Sequence, residues 1–216
     1  MKLLNTILNF IFPVNCISCS KKGVDLCLDC IIKSPTAERE TTNWIFPLYD
    51  YRHIPTKKAI WLLKYKGKRR LAEIFAEALH GKIAEELADL TIFENFREPI
   101  LIPIPLSKKR MHERGFNQAE LICKKLVDLD TEKNLTLVTN VLIKTKETEH
   151  QAKIRDRNIR LKNLCNSFEI KNSEKIKNRN IILIDDVTTT GATFNEAKKV
   201  LKQKGAKKII AFAIAH

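Results

Sequence analysis

No stretch of this 216-residue chain stays apolar for the roughly 20 residues that a bilayer span requires. The most apolar start, residues 1–12, holds one lysine, lacks a small-residue cleavage site and runs into Pro13 and a cysteine pair. It reads as neither export signal nor anchor; Leu4, Ile7, Leu8 and Ile11 fit one face of a short packing helix. Glycine and proline are few, six and seven, which excludes a fibrous or low-complexity chain. No internal repeat is visible. Aromatics are sparse at 7%, and no basic stripe interleaved with aromatics, the usual surface of a single-strand binder, stands out. Trp44, Tyr49, Tyr51, Trp61 and Tyr65 read equally well as core residues. Acidic charge is short too: 25 Asp and Glu face 39 Lys and Arg, leaving +14. That surplus attracts polyanions, whether a diphosphate or a nucleic acid. Nothing marks a secreted chain, and a cytoplasmic protein without a membrane span is expected.

What is present is most informative at residues 181–193, Ile-Ile-Leu-Ile-Asp-Asp-Val-Thr-Thr-Thr-Gly-Ala-Thr. Four branched apolar residues in a row predict a strand buried on both faces, as in a parallel sheet. The carboxyl end of such a strand is where an α/β sheet binds its ligand. There Asp185 and Asp186 can accept hydrogen bonds from two vicinal sugar hydroxyls. Val187, Thr188, Thr189, Thr190, Gly191, Ala192 and Thr193 then lead into a helix with Ala197, Val200 and Leu201 on one side. Its first N–H groups and its dipole favour a phosphate, Gly191 allows close approach, and the threonines add hydroxyl donors. An ordinary threonine-rich helix cap would not need two adjacent acids. The segment resembles the signature of the type I phosphoribosyltransferases, which bind phosphoribosyl pyrophosphate (PRPP) with Mg²⁺. The resemblance implies that the two acids hold the ribose and the loop wraps the 5′-phosphate.

Cys16-Ile-Ser-Cys19 and Cys27-Leu-Asp-Cys30 form two Cys-x-x-Cys knuckles separated by seven residues. Such a pair brings four thiolates onto one tetrahedral Zn²⁺, and a closed four-thiolate site is structural rather than catalytic. Disulfides are the alternative, which a reducing cytosol disfavours. Bound metal would contribute on the order of 10 kcal/mol to folding a module too small for its own core. Cys123 and Cys165 stand alone and read as buried thiols.

The chain divides at a polar stretch, residues 34–42, into a cysteine module over residues 1–42 and an α/β domain over residues 43–216. Strands are predicted at residues 44–51, 100–105, 141–143, 168–170, 181–184 and 208–215. Helices are predicted at residues 59–90, with a break near Gly67, from a capping box of Asn117 and Glu120, and after the phosphate loop up to Gly205. This alternation implies a mostly parallel sheet flanked by helices. Basic residues cluster at Lys64, Lys66, Lys68, Arg69 and Arg70; at Lys108, Lys109, Arg110 and Arg114; and along Lys144, Lys146, Lys153, Arg155, Arg157, Arg160 and Lys162. The first cluster reads equally as a solvated face.

Pro103 and Pro105 fix an irregular turn at a strand end, directly before the second basic cluster. In type I phosphoribosyltransferases the equivalent strand end receives the diphosphate. The segment Pro103-x-Pro-Leu-x-x-x-Arg110-x-x-x-Arg-Gly-Phe-Asn-Gln118 resembles the ComF family of competence-associated proteins. Lys64-Tyr-Lys-Gly67, the spaced Gln151, Arg157 and Asn158, and the paired cysteine knuckles fit the same family. The resemblance covers residues 16–216. It implies a type I phosphoribosyltransferase-like domain with an amino-terminal zinc module, acting on single-stranded DNA in the cytoplasm during natural transformation, with other DNA-uptake proteins as candidate partners. DNA contacts are then expected from Lys108, Lys109, Arg110, Arg114, Arg155, Arg157 and Arg160. Three readings remain open: a PRPP-binding DNA-uptake protein, a transferase adding ribose phosphate to a small nitrogenous acceptor, and a PRPP sensor without catalysis. For a transferase, Asp185, Asp186, Arg110 and Arg114 are the catalytic candidates. Some purine-salvage relatives carry a carboxylate in the phosphate loop, whereas this chain has Thr189 there.

Overall fold

The computed structural model of the chain describes residues 14–38, 42–146 and 166–216. In chain order its elements are α1 (Leu28–Ile32), β1 (Ile45–Tyr49), α2 (Ile54–Lys66), α3 (Leu71–Glu94), β2 (Ile100–Pro103), α4 (Lys108–Arg114), α5 (Gln118–Leu129), β3 (Thr136–Leu137), β4 (Leu142–Lys144), β5 (Phe168–Ile170), β6 (Ile181–Val187), α6 (Ala192–Gln203) and β7 (Ile209–Ala215), with a 3-10 turn at Ser173–Lys175.

Five strands form one sheet in the order β1-β7-β6-β2-β3, with every neighbouring pair parallel. The four aliphatics of β6 are fully buried, and β7 is buried along its whole length. That is what a central parallel strand covered on both faces requires. Alternate residues serve opposite layers. Ile182 and Ile184 join Phe75, Leu79, Ile122 and Phe212 in the core under α3 and α5. Ile181 and Leu183 join Phe194, Ala197 and Leu201 of α6 in the core on the other face. Pro47 lies in β1 at the sheet edge, the position where proline costs no internal ladder bond. The cysteine segment belongs to the first layer, with Leu26 and Ile31 packed in the same core as Phe75 and Leu79.

Several predicted elements shift. The first long helical stretch begins at Ile54, with Pro55 in its first turn, and breaks at Gly67 in the left-handed conformation, φ 62°. The irregular turn expected at Pro103 and Pro105 spans residues 104–107, and the basic cluster after it forms the helix α4, capped by the Ser107 hydroxyl, which accepts from the Arg110 amide at 3.4 Å, and ended by Gly115. This helix buries no residue, so it carries no apolar period to read. Asn117 caps α5 by accepting from the Ala119 amide at 3.0 Å, but Glu120 pairs with Lys124 at 2.7 Å instead of closing the box. The strands at residues 141–143 and 168–170 pair antiparallel with each other, as β4 and β5, in a separate two-stranded sheet. The predicted amino-terminal helix, Cys165, Gln151, Asn158, Lys153, Arg155, Arg157, Arg160 and Lys162 lie outside the described residues. Among the described residues no helix is long and apolar enough to cross a membrane.

Candidate functional site

The carboxyl ends of β2 and β6 open into a cleft of about 260 Å³. It is lined by Asp185, Asp186 and Val187 of β6, by Pro105, Arg110 and Arg114, by Lys64, Trp61 and Tyr65 of α2, and by Lys144, Thr189 and Thr193. Both acids belong to the last part of β6, so the strand alternation that splits its aliphatics also splits them. Asp186 follows Ile182 and Ile184 toward α2, where the Lys64 ammonium meets its Oδ1 at 2.7 Å. Asp186 is 3% exposed, and its Oδ2 is buried with no hydrogen-bond partner among the described residues. Asp185 follows Ile181 and Leu183; its Oδ1 accepts the Asp186 amide at 2.8 Å. Burial and the neighbouring Asp186 charge push the Asp185 carboxyl up to about 7, with Lys64, that amide and Lys144 pulling the other way.

The loop after β6 is anchored by the Thr188 amide, which donates to the Ala215 carbonyl at 2.9 Å. Gly191 starts α6 at φ +68°, and a Cβ there would lie 2.9 Å from Ile45 Cδ1. The positive φ favours glycine, and a larger residue would also have to displace the end of the Ile45 side chain. The N-cap residue of α6 is Gly191, which has no side chain to compete for the first amides. Across the cleft the Asn117 amide nitrogen donates to the Ile104 carbonyl at 3.0 Å, tying the start of α5 to the loop after β2.

Of the residues singled out in sequence, the cleft gathers Pro105, Arg110, Arg114, Asp185, Asp186, Val187, Thr189 and Thr193. Pro103 instead ends β2, paired with Ile184. Thr188, Thr190, Gly191 and Ala192 build the loop without lining the cleft. Lys108 and Lys109 stand on the exposed side of α4. Two site residues were hidden in charge runs. Lys64 sits one turn after Ile60 on the buried stripe of α2, which was the available signal that it is no solvated lysine. Lys144 ends β4, buried, with its ammonium 5.7 Å from the Phe168 ring centre.

At the amino end the sulfur atoms of Cys16, Cys19, Cys27 and Cys30 all lie within 4.8 Å of one another. Cys16 and Cys27 are 3.8 Å apart, Cys19 and Cys27 3.7 Å. A tetrahedron of thiolates with metal–sulfur bonds of about 2.3 Å has edges of about 3.8 Å, so these four can hold one metal ion such as zinc. Burial opposes ionisation of Cys16, yet backbone amides of Cys19, Ser18 and Cys27 bring it down to about 6. Cys30, against a hydrogen bond from Ser18, is pushed up to about 12 by Cys27 and Cys19. Thiols this close cannot all ionise unless a cation shares the charge.

Residues 112–216 match the phosphoribosyl transferase domain. The competence protein ComFC of Bacillus subtilis is 32% identical over 73% of this chain and 58% of its own length. The DNA utilization protein YhgH of Escherichia coli is 28% identical over 83% of this chain and 73% of its own. A hypoxanthine phosphoribosyltransferase from Staphylococcus aureus superposes on 66% of this chain and 61% of its own, at 13% identity and a TM-score of 0.36. The chain thus combines a phosphoribosyl transferase domain and a four-cysteine cluster ahead of it with homology to the competence protein ComFC, of which it spans about 58%, and to YhgH.

Proposed function

We propose that the cleft binds PRPP with Mg²⁺ and that the protein handles single-stranded DNA in the cytoplasm during DNA uptake. The observation that carries the ligand reading is the acid pair: a buried, unpartnered oxygen on Asp186 beside the half-buried Asp185. An orphaned buried acceptor calls for a donor, and vicinal ribose hydroxyls supply two. The 5′-phosphate would take the uncapped start of α6 with Thr189 and Thr193, and the diphosphate the side of Arg110 and Arg114. When bound, Mg²⁺ would neutralise the diphosphate. Lys64 would then exchange its pairing with Asp186 for the incoming anion. The DNA reading draws on the +14 charge and on the names of the relatives, a competence protein and a DNA utilization protein. At the amino end, Zn²⁺ on Cys16, Cys19, Cys27 and Cys30 would hold the module together.

Calorimetry with PRPP and Mg²⁺ tests the ligand reading. Asp185→Asn with Asp186→Ala removes charge-assisted contacts of about 1.5–3 kcal/mol each, so affinity is expected to fall by at least about tenfold. Unchanged affinity in the folded double variant contradicts the site. A second reading, transfer of ribose phosphate to a small nitrogenous acceptor, draws on Asp185: a carboxyl held at about 7 is poised to exchange a proton near neutral pH. Diphosphate release with candidate acceptors supports it; PRPP binding without release leaves uptake or sensing.

A further inference from the structure

Trp61 and Tyr65 are two of the five aromatic residues that sequence alone leaves undecided between core and surface, and they are 45% and 50% exposed. Tyr49, by contrast, is in the core. Four residues apart on α2, the two rings share one helix face at the mouth of the cleft, with centroids 6.1 Å apart and planes tilted by 45°. With their planes tilted the rings are not stacked flat on each other, and each side chain is about half exposed. Cations surround them: the Arg114 guanidinium lies 5.0 Å from the Tyr65 ring centre and the Lys66 ammonium 5.5 Å from that of Trp61. Nearby, Arg69 lies 4.8 Å from the Phe116 ring centre.

We propose that Trp61 and Tyr65 form a stacking platform for an unpaired base of single-stranded DNA whose phosphates lie on the flanking lysines and arginines. This rests on the DNA half of the reading above and assigns it a place. Half-exposed aromatics interleaved with cations are the chemistry that binds a strand without regard to sequence, because every base has a π face and every linkage a charge. Charge decides between a strand and a free acceptor base. The neighbours are cations, which suit phosphates, and the platform stands at an open mouth through which a chain can continue.

The test compares a labelled oligothymidylate with an abasic oligonucleotide of equal length on the full, zinc-loaded chain. Wild type is expected to prefer the thymidylate. Trp61→Ala with Tyr65→Ala should weaken thymidylate binding by about 5- to 100-fold, the range for losing a stacked base. The same variant should leave abasic binding and the slope of log affinity against log salt unchanged, because no phosphate contact is removed. Trp61→Phe with Tyr65→Phe should restore most of the preference. Equal binding of both oligonucleotides by wild type, or an alanine variant that retains the preference, overturns the platform while leaving phosphate-based DNA binding in place. Binding of neither oligonucleotide at low salt overturns platform and DNA reading together. Free thymidine competing as strongly as the strand would convert the platform into an acceptor site and overturn the proposal.

Discussion

Asp185 and Asp186 are adjacent in sequence and opposite in surroundings, and the difference sets how the site responds to pH. Asp186 has a lysine at 2.7 Å, whereas among the described residues none pairs with Asp185, and burial and the neighbouring charge raise the latter to about 7. Its unfolded value is near 3.9. A carboxyl raised on folding stabilises the fold most fully below the unfolded value, and that contribution disappears as pH rises through about 7. Ligand binding runs the other way, because an acceptor of two hydroxyls and a partner to a cation-bearing ligand must be ionised. Affinity for PRPP with Mg²⁺ is therefore expected to rise between about pH 6 and pH 8. Asp185→Asn should lose that part of the rise, while the titration of the ligand's own phosphate stays common to both proteins. Calorimetric profiles that superpose would contradict the role of Asp185. At this scale the acids were legible because charge directly after four aliphatics violates the pattern of a buried strand. Lys64 was obscured because Lys66, Lys68, Arg69 and Arg70 surround it with exposed or partly exposed charge, and only its place on the helix stripe sets it apart.

Elements with a strong period or an uninterrupted apolar run were readable, namely β6, β7 and the helices α5 and α6. Elements whose formation depends on neighbours were not. β3 is two residues long and exists because Leu101 and Ile100 offer it a ladder, and α4 buries nothing of its own. The cysteine module lies between these cases. Its knuckles fix the ligand set in sequence, but its attachment depends on Leu26 and Ile31 entering the core beside Phe75 and Leu79 of α3. Each such side chain, fully buried, is worth about 1.5–3 kcal/mol. Metal on the four cysteines would hold those contacts in place. Purified protein is expected to carry one tightly held zinc per chain by elemental analysis. Strong chelation should lower the melting temperature of the whole domain, not only release a segment, since the module shares its core. Clearly less than one zinc after metal-replete expression, or an unchanged melt after its removal, contradicts this.

Across the whole molecule the +14 charge is concentrated, and one basic helix, α4, lines the cleft with Arg110 and Arg114 while turning Lys108 and Lys109 outward. A polyanion running over α4 and a diphosphate in the cleft would therefore draw on the same short helix. If DNA is held mainly through phosphates, its affinity must fall with salt, with a log–log slope near −0.7 per phosphate neutralised. Arg110→Ala with Arg157→Ala, the second residue lying outside the described structure but within the third basic run, should flatten the slope by roughly one to two units. Shared use of α4 also couples the ligands, and linkage makes that coupling reciprocal: whatever factor PRPP applies to DNA affinity, DNA applies to PRPP affinity. Competition for Arg110 and Arg114 gives antagonism, whereas ordering of the basic segments by PRPP gives cooperation. Titrating DNA with and without PRPP, then PRPP with and without DNA, should return one factor of one sign. Salt-insensitive binding, or no binding at low salt by folded, zinc-loaded protein, would leave the transferase or sensor reading as the better account of the cleft.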